Sequence, residues 1–201
     1  MGQYNGALTR EQFLFREMRI VARLYREGRS PEEITGQIYQ ENLFQYPTER
    51  EIKGKCRTAL KRLNCIAHSP ALVEMLAEGD LREAKWAALT AMMAQNALVA
   101  EFMTDVVGEK FRGLDRSLTS KDFYLFYETL CQKDPKAALW SPSTVKKIKA
   151  VLWNLLRENG YLERPGSETL CQALISEEFE QALRQAGFQR FLPAFQAAEW
   201  R

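Results

Sequence analysis

From Trp86 to Ala100 the chain reads WAALTAMMAQNALVA, a run that contains no charged residue. A helix that is apolar on every side must be surrounded by something other than water. A bilayer could do this, but crossing one takes about 20 apolar residues. This run is shorter and includes Gln95 and Asn96. It therefore predicts a central helix over 81–107, opened by Asp80 and closed near Gly108, with other helices packed around it.

The punctuation elsewhere is also helical. Thr9 with Gln12 predicts a capping box for a helix ending at Gly28. Ser30-Pro31-Glu32-Glu33, Thr48-Glu49-Arg50-Glu51, Ser69-Pro70, Thr119 to Asp122, Ser141-Pro142 and Ser176 each open a further helix, several with proline at the first helical position. After Gly160 the pattern changes. YLERPGSETLCQALI holds two short apolar runs around Pro165-Gly166-Ser167, which predicts a short β-hairpin. Residues 31–64 then read as a helix-turn-helix, and the later segment ending in the hairpin reads as a winged version of it. The expected fold is mainly α: an N-terminal helix-turn-helix region, a central helical layer and a C-terminal winged-helix-like region. The polar stretch from Gly108 to Thr119 is the expected seam, dividing the chain into domains 1–113 and 117–201.

Two helices tied to a turn occur in any helical protein, so charge has to decide what these do. At 100° per residue, Ile52, Cys56, Ala59, Leu60 and Leu63 share one side of the 48–64 helix. Arg50, Lys53, Arg57 and Lys61 share another, with Gly54 among them. In the 142–158 helix the core stripe is Val145, Ile148, Val151, Leu152, Leu155 and Leu156. The opposite face carries Ser143, Lys146, Lys147, Ala150, Asn154 and Arg157, with Lys149 and Trp153 beside it. Window 48–64 holds six basic residues against two acids, and 141–158 holds four against one. Together they carry +7 in a chain of net charge +2, so the remainder is −5. These faces read as lacking the interleaved glutamates that neutralise an ordinary solvated face. Their small residues permit close approach, and Arg, Lys, Ser and Asn suit phosphates and base edges. Gly54 costs its helix roughly 1 kcal/mol relative to alanine, a cost that either packing or a closely approaching partner must justify.

Catalysis finds no frame here. His68 is the single histidine, and the sequence shows no Gly-rich phosphate loop and no nucleophile–base arrangement. Cys65 and His68 would give two metal ligands where a closed zinc site needs four. No cofactor, metal or small-molecule substrate is expected. The four cysteines stand at apolar helical positions with no signal peptide ahead of them, which suits a reducing cytoplasm and no membrane.

Four segments carry a family resemblance: YNGALTREQFLFREMRIVARLY (4–25), ENLFQYPTEREIK (41–53), SLTSKDFYLFYETL (117–130) and WSPSTVKKIKAVLWNLLRENGYL (140–162). In this order they resemble the BrxA family, the small component of bacteriophage exclusion (BREX) defence systems. The resemblance implies a cytoplasmic, all-helical, non-enzymatic protein that binds double-stranded DNA and works beside other BREX proteins. Family members have also been likened to NusB-type RNA-binding proteins and labelled inner-membrane proteins. The family has no catalytic motif to carry over, so the expected DNA-binding set rests on the helical wheels alone: Arg50, Lys53, Arg57, Lys61, Ser143, Lys146, Lys147, Lys149 and Asn154. The alternatives are a NusB-like RNA-binding protein, for which Trp153 and Tyr46 would supply stacking rings, and a protein-interaction adaptor within the defence complex.

Overall fold

The computed structural model describes residue 4 and residues 6–9, 12–113, 115–171 and 173–195. The chain divides into two compact units, one formed by Phe13–Gln95 and the other by Met1–Gln12 with Asn96–Arg201. The stretch Gly108 to Thr119, expected as a seam, lies inside the second of these.

The unit Phe13–Gln95 is helical throughout: α1 (Phe15–Arg26), α2 (Pro31–Gln40), α3 (Glu49–Ile66), α4 (Pro70–Glu78) and α5 (Leu81–Gln95). Helix α1 starts after Leu14 without a side-chain cap, and Thr9, expected to cap it, ends the 3-10 turn Gly6–Thr9 instead. Each of the other four starts follows from a side chain that accepts a bond from an orphan amide of the first turn. Ser30 and Glu33 form a reciprocal capping box, Thr48 accepts from Glu51 N, and Ser69 accepts from Leu72 N. The Asp80 carboxylate takes both Arg82 N and Glu83 N at 2.8 Å. Helix α5 takes in residues 86–95 of the chargeless run, and from Trp86 to Met93 every residue is buried. Its alanines let α1, α3 and α4 approach closely. Thr90 keeps its hydroxyl satisfied on Trp86 O, 2.9 Å away.

Two polar devices close this unit. Arg19 and Arg23 of α1 both donate to Ala77 O, and Arg19 also donates to Gly79 O. They satisfy the last carbonyls of α4 and set positive charge at its negative end. Arg62 of α3 is fully buried, and its guanidinium donates to Phe13 O at 2.7 Å and to Gln95 Oε1 at 3.4 Å. One of the six basic residues counted in 48–64 is thus a core strut and adds nothing to the surface.

The expected helix over 81–107 is broken. Asn96 leaves the helix at φ −131° and its side chain caps Leu98 N and Val99 N, because a short amide that can bond the next turn competes with continuation. The second unit starts here with α6 (Ala97–Glu101), a wider π turn over Phe102–Val107, and α7 (Gly108–Arg112). It continues with α8 (Ser120–Lys133), a 3-10 turn over Ala137–Leu139, α9 (Pro142–Glu158), α10 (Glu177–Gln185) and a 3-10 stretch over Gln189–Ala194. A second capping box, Thr119 with Asp122, starts α8. At Gly108 a Cβ would lie 2.9 Å from Pro193, so only glycine admits the 189–194 stretch against this helix. The 3-10 turn Gly6–Thr9 packs on α9, with Tyr4 N bound to the Asp134 carboxylate at 3.3 Å and Tyr4 OH bound to Glu101.

No β-hairpin forms over the described residues of 161–175. Arg164 to Ser167 turn the chain, with Gly166 at φ 81° and Ser167 N bound to Arg164 O, but beyond that turn bond the two arms share just Cys171 N to Tyr161 O among the described residues. The later arm pairs instead with the segment before α8, through Leu118 N to Glu168 O and Leu170 N to Arg116 O, with one antiparallel bridge at Ser117 and Thr169. Tyr161, Leu162 and Leu170 are drawn into the core, and Tyr161 OH reaches Ala194 O at 2.9 Å. Burial of these side chains outweighs a hairpin ladder too short to stand alone.

The Arg62 strut yields a test. Arg62→Ala leaves a void and strips Phe13 O of its donor, so urea unfolding is expected to show a loss of roughly 2–4 kcal/mol. Arg62→Met, which keeps most of the volume, is expected to lose less.

Candidate nucleic-acid interface

On α3 the buried stripe is Ile52, Cys56, Ala59, Leu63 and Ile66, while Leu60 is only half-buried. Arg50, Gly54, Arg57 and Lys61 are all exposed and form one stripe at helical spacing. Among the described residues, the side chains of Arg50, Arg57 and Lys61 have no hydrogen-bond or ion-pair partner. Lys53 differs. Its ammonium lies 4.8 Å from the centre of the Tyr39 ring on α2 and 3.9 Å from Glu49. Glu49, which sits next to the Thr48 cap, reaches one turn along the helix. The expectation of a face without interleaved glutamates therefore fails at this position. Nothing lies within 4 Å of where a Cβ of Gly54 would be, so packing within the chain does not explain that glycine.

On α9 the wheel assignment of the core holds, with Val145, Ile148, Leu152, Leu155 and Leu156 buried and Val151 half-buried. Ser143, Lys146, Lys147, Ala150, Asn154 and Arg157 are exposed. Lys146 and Lys147 have no side-chain partner among the described residues. Three other members of the expected set are engaged inside the fold. Ser143 Oγ lies 2.9 Å from the Ser141 cap hydroxyl, and Asn154 Oδ1 accepts from Arg157. Lys149 donates to Ser120 Oγ at 2.9 Å, with its charge 5.5 Å from the Tyr124 ring and 5.8 Å from Trp153. The expected residues thus gather on two faces, one in each unit, and five of the nine remain free to meet a ligand.

Other cations are mostly committed. Arg19, Arg23, Arg26, Arg29, Lys110 and Lys133 each hold a carbonyl or carboxylate. Arg82, Lys121, Lys136 and Arg164 are also exposed without a side-chain partner among the described residues, but no two of them share a helix face. Wheel reasoning missed the neighbours that arrive from other elements. Ser120 and Tyr124, the latter 46% exposed, flank α9 from α8, and no periodicity within α9 could have revealed them.

The rings proposed for stacking are largely spoken for. Trp153 is half-buried against Phe102 and Phe123, with ring centres 6.0 and 6.2 Å away. Tyr46 OH donates to Glu17 at 2.8 Å, and burial together with that carboxylate pushes its phenol up to about 12. No helix among the described residues is long and apolar enough to cross a membrane.

A mainly helical protein whose partner-free cations cluster on two helix faces is the class that these features define. The chain belongs to the BrxA family, whose sequence model matches residues 2–187. It is 30% identical over 185 residues to a Bacillus cereus protein named BREX protein BrxA, with 92% of each chain covered. It is 26% identical to an Escherichia coli O9:H4 protein of the same name, covering 92% of this chain and 85% of that one. A crystal structure of an uncharacterised protein from Magnetospirillum magneticum shares the fold with a TM-score of 0.82 at 24% identity, covering 98% of this chain and all of the other.

The open space at Gly54 generates an expectation that needs no ligand. Gly54→Ala is expected to raise stability in urea by about 0.5–1 kcal/mol, because alanine removes backbone entropy from the unfolded chain and meets no neighbour. Unchanged or lowered stability would show that the helix needs glycine here for itself.

Proposed function

We propose that this chain is a non-enzymatic component of a BREX phage-defence system that binds double-stranded DNA, chiefly through phosphates held by α3 and α9. The observation that carries the reading is the distribution of uncommitted cations. Arg50, Arg57 and Lys61 line one face around an open Gly54, and Lys146 and Lys147 stand on another. Guanidinium and ammonium groups facing solvent, without internal partners, are what a phosphate backbone neutralises on binding. A glycine whose Cβ would meet no neighbour among the described residues would let a sugar–phosphate backbone come closer to α3 than a side chain would permit.

The surrounding elements support particular layouts. In this reading α2, the turn at 41–48 and α3 would serve as a helix-turn-helix with α3 as its contact helix. In the second unit a helix, the short edge at 116–118, α8, α9 and the 161–171 loop follow in the order of a reduced winged helix, with α9 as the contact helix. The names of the relatives place them among BREX proteins, and other proteins of such a system are the natural partners. An RNA-binding role is less well supported, since Trp153 and Tyr46 are engaged within the fold. Of the rings beside α9, Tyr124 is the one left open.

A gel-shift series tests the reading with duplex DNA, single-stranded DNA and duplex RNA at two salt concentrations. Duplex DNA is expected to bind best, with a log–log salt slope near −0.9 per neutralised phosphate and roughly four to seven phosphates engaged. Exchanging Lys146 and Lys147 together for glutamate should weaken duplex binding by about tenfold or more and leave the thermal midpoint nearly unchanged. Arg57→Glu with Lys61→Glu should act likewise through α3, and Gly54→Ala should weaken binding in spite of its added stability. A slope near zero would sink the phosphate-led mechanism, and preference for either alternative nucleic acid would redirect it.

A further inference from the structure

The opposite flank of α8 is built for a different partner. Ser120 and Tyr124 turn one side of that helix towards Lys149 of α9. Leu125, Phe126, Thr129 and Leu130 line a groove of about 300 Å³ shared with the helix over 97–112. At 100° per residue these two faces of α8 point nearly opposite ways. The groove floor is apolar, formed by Val106, Leu125, Phe126 and Leu130, and Leu125 is 51% exposed. Its rim is acidic, with Glu101, Asp105, Glu109 and Asp122 against Lys110 and Lys133, a local charge of −2.

Both rim lysines are already used. Lys110 sits between Asp115 and Asp122 at 2.7 and 2.9 Å, and Lys133 reaches Glu101 at 2.8 Å. Glu109 is paired with Arg112. Asp105 is exposed and has no cation within ion-pair distance among the described residues. Its carboxylate accepts only the Thr104 hydroxyl, 2.7 Å away. It lies in the π turn, whose extra residue per turn re-aims side chains and which recurs at functional sites.

We propose that this groove docks a basic amphipathic segment of a partner protein. An apolar side chain would enter over Leu125 and Val106, while a lysine or arginine beside it would pair with Asp105. The sign of the charge argues for this occupant: the rim repels a phosphate backbone and attracts a cationic peptide. Within its own unit the docking face lies on the flank of α8 opposite the one that meets Lys149 of α9.

The probe is a short fluorescein-labelled peptide with leucines at i, i+3, i+4 and i+7 and lysines or arginines between them, followed by anisotropy without DNA. Controls are a scrambled peptide of the same charge and a peptide with glutamate at every basic position. Saturable binding is expected for the first peptide only. Asp105→Lys and Leu125→Glu, both exposed substitutions that should keep the thermal midpoint, should each weaken it by at least about tenfold, through lost pairing and lost apolar contact. Lys146→Glu with Lys147→Glu should leave it unchanged, so failure here is separable from failure of the DNA reading. Equal binding of the scrambled peptide, or no effect of Asp105→Lys or of Leu125→Glu, overturns the proposal. So does a dimer in sedimentation that Leu125→Glu dissociates, since the groove would then belong to a second copy of this chain.

Discussion

From Trp86 to Met93, helix α5 turns no face to water, and the unit around it is organised by that fact. Helix α5 buries Trp86, Leu89, Met92 and Met93, a gain roughly proportional to their apolar area, with Ala84, Ala87, Ala88 and Ala91 buried among them. It also gains by letting neighbours come close, which places α1, α3 and α4 against its backbone. The surrounding helices must then bury their own inner stripes while keeping their ends satisfied. The guanidiniums of Arg19, Arg23 and Arg62 do part of that work by binding carbonyls. The same residue type that serves elsewhere as a surface charge acts here as a hydrogen-bonded strut.

This division of labour shapes the electrostatics. A nearly neutral chain can still show strong local potentials if most of its charges are paired and the rest are gathered. Internal commitment of the α1 arginines leaves α3 and α9 as the places where several free cations share a helix face. On α8 the acidic flank and the flank that meets α9 are separated by half a helical turn. A small protein can thus present surfaces of opposite sign without long-range neutralisation, since in physiological salt the field of each fades within about 8 Å.

Much of the helical frame was legible because its signals are local. Ser30, Thr48, Ser69, Thr119, Ser141 and Ser176 each mark a start through a bond to an amide two or three residues on, and all six caps form. Burial along α9 could be read from periodicity for the same reason. Features that depend on distant neighbours were not legible. Arg62 looked like one more surface cation because nothing near it in sequence reveals the Phe13 carbonyl. Lys149 looked free because Ser120 and Tyr124 arrive from another helix. The apolar run around Asn96 predicts a continuous helix, whereas Asn96 caps a new one. The turn at Pro165 and Gly166 was visible, but the arm after it pairs with residues 116–118, far back in the sequence.

The placement of Tyr4 and Leu8 bears on how the chain is made. They belong to the unit that otherwise begins at Asn96, so the backbone passes from one unit to the other at residue 12 and returns at residue 95. The unit over 13–95 is continuous and can complete its core as soon as it leaves the ribosome. Tyr4 and the turn over Gly6–Thr9 cannot do the same: their partners Glu101, Asp134 and α9 are synthesised far later. At translation rates of about 5–20 residues per second, Tyr4 and Leu8 wait several seconds or more for those partners and are among the last residues to be secured. For these residues the order of synthesis and the order of assembly therefore run in opposite directions.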